Sequence, residues 1–182
     1  MDRAISRTFI AYVEDKPGVL NRVVSLFRRR GYNIESLTVG RTHEPGVSRL
    51  TMITTADEDT ARRLEANLYK LVNVLRVRDL TAIPSVSRDL ALIKVKASAA
   101  ERAEILEITK VFRARVVDIA TDALIVEITG EQDKIDGLVA LLKPFGILEM
   151  VNSGMVAMVR SAESASAEPA SGVRPQRASS AA

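Results

Sequence analysis

Cysteine is absent from this chain, so a disulfide framework, thiolate catalysis and zinc ribbons are excluded. Tryptophan is absent too, aromatic residues make up 4% of the chain, and His43 is the only histidine. His43 lies in a predicted turn with no Ser or carboxylate partner at a readable spacing, so it reads as an exposed turn residue rather than a general base. The chain has no Walker-type phosphate loop and no Gly-x-Gly-x-x-Gly after a strand. Asp57, Glu58 and Asp59 read as helix-start charges; a metal site would need further ligands. The sequence therefore shows no catalytic site and no metal site of its own.

No apolar run approaches the roughly 20 residues needed to span a bilayer, and the start of the sequence runs into strand pattern without a signal-like leader. A cytoplasmic protein is the expectation. The formal charge of +3 does not point to nucleic acid, because Lys and Arg alternate with Asp and Glu and part of the excess sits at Arg174 and Arg177. The segment Ser48-Arg49-Leu50-Thr51-Met52-Ile53-Thr54 also lacks the rings on which an RNA-binding sheet stacks bases.

The 182 residues have room for two units of roughly 75 residues each. Residues 8–14 read as a strand and 18–30 as a helix with Val19, Leu20, Val23, Val24, Leu26 and Phe27 on one broad apolar face. Strands over 33–42 and 48–55 follow, joined by His43-Glu44-Pro45-Gly46, then a helix with Ala61, Leu64, Leu68 and Leu71 inward and a strand over 74–83. This βαββαβ order implies an α+β, ferredoxin-like unit.

After a predicted linker over 84–88 the order returns. Strands are expected over 90–95, 115–120, 123–129 and 147–159, the last broken near Ser153-Gly154, with helices over 101–112 and 131–142. Phe27-Arg28-x-Arg30-x-x-Asn33-Ile34 matches Phe112-Arg113-x-Arg115-x-x-Asp118-Ile119, which suggests a duplicated unit with Val116 in the place of Gly31. The predicted domains are 1–84 and 85–160. Residues 161–182, rich in Ala, Ser, Glu, Pro and Arg, are expected to form a disordered tail.

The junction Glu14-Asp15-Lys16-Pro17-Gly18-Val19-Leu20 carries the most chemical information. Pro17 suits the first helical position and Gly18 lets another molecule approach the backbone. Free N–H groups and the dipole at the helix start suit a carboxylate, and Asp15 suits an ammonium, so a free amino acid fits. The same residues also suit a plain strand-to-helix turn. Arg28-Arg29-Arg30 then Gly31 mark the end of the helix.

Asp15-Lys16-Pro17-Gly18-Val19-Leu20 resembles the ligand loop of ACT domains, which are amino-acid-sensing modules. Arg30-Gly31-Tyr32-Asn33-Ile34-Glu35-Ser36-Leu37-Thr38-Val39, Lys70-Leu71-Val72-Asn73-Val74, Arg88-Asp89-Leu90-Ala91-Leu92-Ile93-Lys94-Val95 and Ser153-Gly154-Met155-Val156 are similar to the regulatory subunits of acetohydroxyacid synthase, also called acetolactate synthase. That resemblance implies a homodimer that activates a catalytic large subunit and mediates feedback inhibition by valine in branched-chain amino-acid synthesis. Thiamine diphosphate, Mg and FAD would belong to the large subunit. The resemblance places valine between two protomers: Asp15 takes the ammonium, amides of Gly18, Val19 and Leu20 take the carboxylate behind Pro17, and Asn33 with Ile34 reach across from the other protomer. A stand-alone ACT-domain sensor acting on another partner is the alternative.

Overall fold

The computed structural model describes residues 3–161, so the predicted tail lies outside the described residues apart from Ser161. The chain divides into two compact units, one running through Val86 and taking up the chain again from Met158, the other spanning Ser87–Ala157.

The first unit contains β1 (Ile5–Glu14), α1 (Val19–Arg30), β2 (Ser36–Arg41), β3 (Val47–Ala56), α2 (Glu58–Tyr69) and β4 (Val74–Asp79). Its sheet runs β2-β3-β1-β4, antiparallel throughout, the ferredoxin-like order. Alternation along β1 sends Phe9, Ala11 and Val13 under the helices, where they meet Val23, Phe27, Leu64 and Leu68. Each such large side chain contributes about 1.5–3 kcal/mol by leaving water. α2 starts as its acids foretell: the Asp57 carboxylate accepts from the Thr60 amide at 2.7 Å. Leu20 and Val24, expected on the inward face of α1, are 42% and 38% exposed. The buried stripe is the narrower set Val19, Val23, Leu26 and Phe27.

The second unit repeats the plan with β5 (Ser85–Lys96), α3 (Arg102–Val111), β6 (Arg115–Ile119), β7 (Ala123–Gly130), α4 (Gln132–Leu142), β8 (Ile147–Asn152) and β9 (Val156–Val159), the first two residues of β5 and the last two of β9 falling within the first unit. A turn of 3-10 helix, Lys143–Phe145, separates α4 from β8. The sheet runs β6-β7-β5-β8, and β9 also pairs with β5. The chain breaks between β8 and β9 around Gly154, at φ 83°, where the sequence placed the break.

Two expectations are corrected. The predicted linker is largely strand, because β5 begins at Ser85 and the Arg160 amide donates to the Pro84 carbonyl at 3.0 Å. The residue-level repeat is out of register: the residue of the second unit that matches Gly31 is Arg113, not Val116. Gly31 (φ 70°) ends α1 with Gly31 N–H on Arg28 O and Tyr32 N–H on Phe27 O. Arg113 (φ 51°) ends α3 with Arg113 N–H on Lys110 O and Ala114 N–H on Thr109 O. Both are Schellman closures. Phe27 therefore corresponds to Thr109, and the Phe112 match was coincidental.

Candidate functional site

β1 delivers the chain to Glu14, and the next four residues form the loop that starts α1. Two backbone bonds fix its path: Glu14 N–H donates to Asn73 O at 2.9 Å and Asp15 N–H to Gly46 O at 2.8 Å. Gly18 is the N-cap of α1 and holds a left-handed conformation, φ 81°. Pro17 thus precedes the cap and is not the first helical residue. An L side chain at residue 18 would be strained, and a Cβ built there meets nothing within 4 Å, so the backbone stands open.

No side chain caps this helix start. The amides of Gly18, Leu20 and Asn21 have no partner among the described residues, whereas Val19 N–H already reaches Lys16 O at 3.3 Å. The expected donor set Gly18, Val19 and Leu20 is therefore reduced at Val19 and extended to Asn21. A carboxylate is the natural acceptor for such a group at the positive end of a helix.

Polar side chains surround the loop. Asp15 lies 3.7 Å from the Arg41 guanidinium and keeps a half-exposed carboxylate. Glu14 accepts from the Asn73 amide nitrogen at 2.5 Å and lies 3.1 Å from the Lys16 ammonium. These contacts, the Asn73 hydrogen bond foremost, hold its carboxyl below the usual carboxylate range. The Arg22 guanidinium donates to the side-chain amide oxygen of Asn73 at 2.5 Å. The sequence marks Glu14 as part of the junction and Gly46 as part of a turn, Asn73 only as part of the resemblance, and Arg22 and Arg41 not at all.

Asn33 and Ile34 sit in the loop between α1 and β2, ahead of the strand on which they were expected. The Asn33 carbonyl accepts from the Thr54 hydroxyl at 2.6 Å, its side chain is exposed, and Ile34 packs partly against the core. They stand at the C-terminal end of α1 and the Gly18 loop at its N-terminal end. Twelve residues of helix separate the two, roughly 18 Å. Within one protomer a small ligand could not touch both.

The second unit lacks the left-handed glycine at its first helix start and the Asn33 loop. β6 begins two residues after Arg113, whereas β2 begins five after Gly31, so no counterpart of the Asn33 loop exists. The turn before α3 caps itself, although the Ala103 and Glu104 amides in the first turn of α3, like Leu20 and Asn21 of α1, have no partner among the described residues. Ser98 N–H donates to the Glu101 carboxylate at 3.1 Å and Glu101 N–H to Ser98 Oγ at 3.4 Å, a reciprocal capping box.

A family model described as the AHAS small subunit-like ACT domain matches residues 9–76, and one described as the small subunit of acetolactate synthase matches residues 88–161. The chain is 48% identical over 151 residues to the probable acetolactate synthase small subunit of Methanothermobacter thermautotrophicus, covering 82% of this chain and 90% of that one. It belongs to the acetolactate synthase small-subunit family. The small subunit of Mycobacterium leprae is 46% identical over 155 residues, 85% of this chain and 92% of its own. The crystal structure of the Thermotoga maritima small subunit superposes with a TM-score of 0.80 at 36% identity, covering 86% of this chain and 98% of that one. In this member of the family, the ACT match covers the unit with the open helix start.

Among the described residues no three His, Asp or Glu side chains converge to hold a metal ion, and no helix is long and apolar enough to cross a membrane.

Proposed function

We propose that this small subunit regulates a catalytic large subunit, raising its rate and conferring feedback inhibition by valine, and that valine binds between two protomers at the start of α1. The observation that carries this reading is the α1 start, where left-handed Gly18 leaves the backbone open beside free amides, set against the turn into α3, where the chain's own Glu101 carboxylate already accepts from the Ser98 amide. The two units differ where a ligand would sit. Gly18, Leu20 and Asn21 offer amides to the carboxylate, Asp15 offers a carboxylate to the ammonium, and Asn33 with Ile34 come from a second copy. The separation of the halves along α1 supports a homodimer as the binding unit.

Thiamine diphosphate, Mg and FAD belong in this reading to the large subunit. The loop brings Glu14 and Asp15 beside the open amides, which disfavours a diphosphate there, and no acidic cluster holds a divalent ion among the described residues. In this reading the chain acts in the cytoplasm.

Control follows from linkage. Valine shifts the dimer toward its inhibitory arrangement only by its preference for that arrangement, and a coupling of about 1–3 kcal/mol suffices for strong feedback. The large subunit must alter valine affinity by the same factor. One methylene distinguishes leucine or isoleucine from valine, worth about 1–3 kcal/mol in an apolar pocket.

The test is reconstitution with the large subunit, pyruvate, thiamine diphosphate and Mg, followed by valine titration. The isolated chain should form no acetolactate, addition should raise the large subunit's rate, and valine should lower it. An unchanged rate on addition, or turnover by the chain alone, would overturn the regulatory reading.

A further inference from the structure

The two units meet the end of their first strand in the same way. In the first, a register shift at Tyr12/Val13 places Val13 opposite Val74, and Glu14 N–H then donates to Asn73 O at 2.9 Å. In the second, a shift at Lys94/Val95 places Val95 opposite Ile147, and Lys96 N–H donates to Gly146 O at 2.9 Å. Asn73 and Gly146 are therefore equivalent, as are Glu14 and Lys96. The backbone bond is common to both units and belongs to the fold.

The side chains differ. Asn73 donates to the Glu14 carboxylate and accepts from Arg22 on α1, so one amide ties the last residue of β1 to the helix that follows the loop. Gly146 has no side chain, and a Cβ there would meet the Lys96 stem at 3.4 Å. The polar tie is present in the unit whose first helix starts on a left-handed glycine and absent from the other. A fold requirement would have kept it in both.

We propose that the Asn73 side chain is a positioning residue for the ligand loop: by bridging Glu14 and Arg22 it clamps residues 15–18 between β1 and α1 and holds the Gly18, Leu20 and Asn21 amides in a fixed array. It touches no ligand. Its effect on affinity rests on the valine reading above, but its effect on loop order does not.

The test uses the full-length protein with Asn73→Asp, Asn73→Gly and the exchanged pair Glu14→Gln/Asn73→Asp. Asn73→Asp sets a carboxylate against Glu14 but keeps the acceptor for Arg22. Asn73→Gly copies the second unit. The exchanged pair restores the bond with donor and acceptor reversed, from the Gln amide to the Asp carboxylate. Hydrogen exchange without ligand should rise about tenfold at the Lys16, Val19 and Arg22 amides in both single variants, the size expected for one lost hydrogen bond, and return in the exchanged pair. Valine affinity by calorimetry should fall and recover in parallel, while exchange in β3 stays as in the wild type. Unchanged loop exchange in Asn73→Gly, a rise spread over the whole first unit, or no recovery in the exchanged pair would overturn the proposal. Altered loop exchange in a protein whose wild type binds no valine would uphold the positioning role and overturn the valine reading instead.

Discussion

Gly31 and Arg113 occupy the same place in their units, each the left-handed residue that closes the first helix, at φ 70° and φ 51°. Beyond that shared closure the chain diverges. After Gly31 it runs through Tyr32, Asn33 and Ile34 before β2, and after Arg113 it enters β6 almost at once. One unit keeps a loop at the far end of its helix and an open amide array at the near end. The other has a shorter loop at the far end and, in the turn before its helix, a Glu101 carboxylate that takes the Ser98 amide. A common fold thus carries the left-handed glycine and the longer loop in one unit only.

The left-handed position should tolerate glycine better than arginine, since a β-carbon there costs about 1 kcal/mol. Arg113→Gly is expected to stabilise the second unit by up to that amount, and Gly31→Ala to destabilise the first by a similar amount. Denaturant midpoints read both, and a destabilised Arg113→Gly protein would show that the arginine side chain outweighs its backbone strain.

Local signals in the sequence survive in the structure. Gly31 after three arginines closes α1, Asp57 caps α2, and Pro45-Gly46 turns between β2 and β3 with Gly46 at φ 77°. Each depends on a few adjacent residues. The features that misled depend on distance or coincidence. Phe27 and Phe112 are both apolar residues near a helix end, and only the closing hydrogen bonds show that they differ by a turn. Glu14 and Asn73 meet across 59 residues, which no spacing rule connects. Leu20 and Val24 fit the apolar period of α1 but fall beside the stripe that α2 and the sheet cover. Of the candidate site, the Asp15–Leu20 loop was legible because proline, glycine and an acid mark it, whereas the Asn33 loop lost its strand assignment.

Gly18 allows charge and backbone strain to be separated. Gly18→Asn and Gly18→Asp must both adopt φ 81°, and each costs about 1 kcal/mol of stability or less, because Asn and Asp tolerate this region. Only Asp opposes an incoming carboxylate. Calorimetric titration with valine should show at least a tenfold weaker affinity for Gly18→Asp than for Gly18→Asn. Equal affinities would place the ligand's carboxylate elsewhere.

Glu14 links the loop to pH. Its carboxyl is held below its ordinary value of 4.5, by Asn73 first and Lys16 second, so it stabilises the loop fully above that value. As pH falls through the lower folded value the contribution is lost, and the loop should loosen only on the acid side. Asn73→Leu should move the Glu14 titration upward toward 4.5, read by carbon NMR of the side-chain carboxyl. A Glu14 titration unchanged by Asn73→Leu would mean that Lys16 governs it.

The division of the site between protomers gives a complementation test. In a two-fold dimer each site takes the Gly18 loop of one protomer and Asn33 of the other. Homodimers of Gly18→Asp or of Asn33→Ala therefore have both sites damaged, the second by loss of a hydrogen bond worth about 1 kcal/mol or somewhat more to a charged acceptor. In a heterodimer of the two variants the substitutions fall together in one site, and the other site has an unmodified loop and an unmodified Asn33. Co-expression with two affinity tags isolates that heterodimer. Calorimetry should find half the wild-type number of valine sites, with wild-type affinity. A site formed within a single chain would instead give one weakened site of each variant kind, so the absence of any full-affinity binding would show that Gly18 and Asn33 do not meet across the dimer.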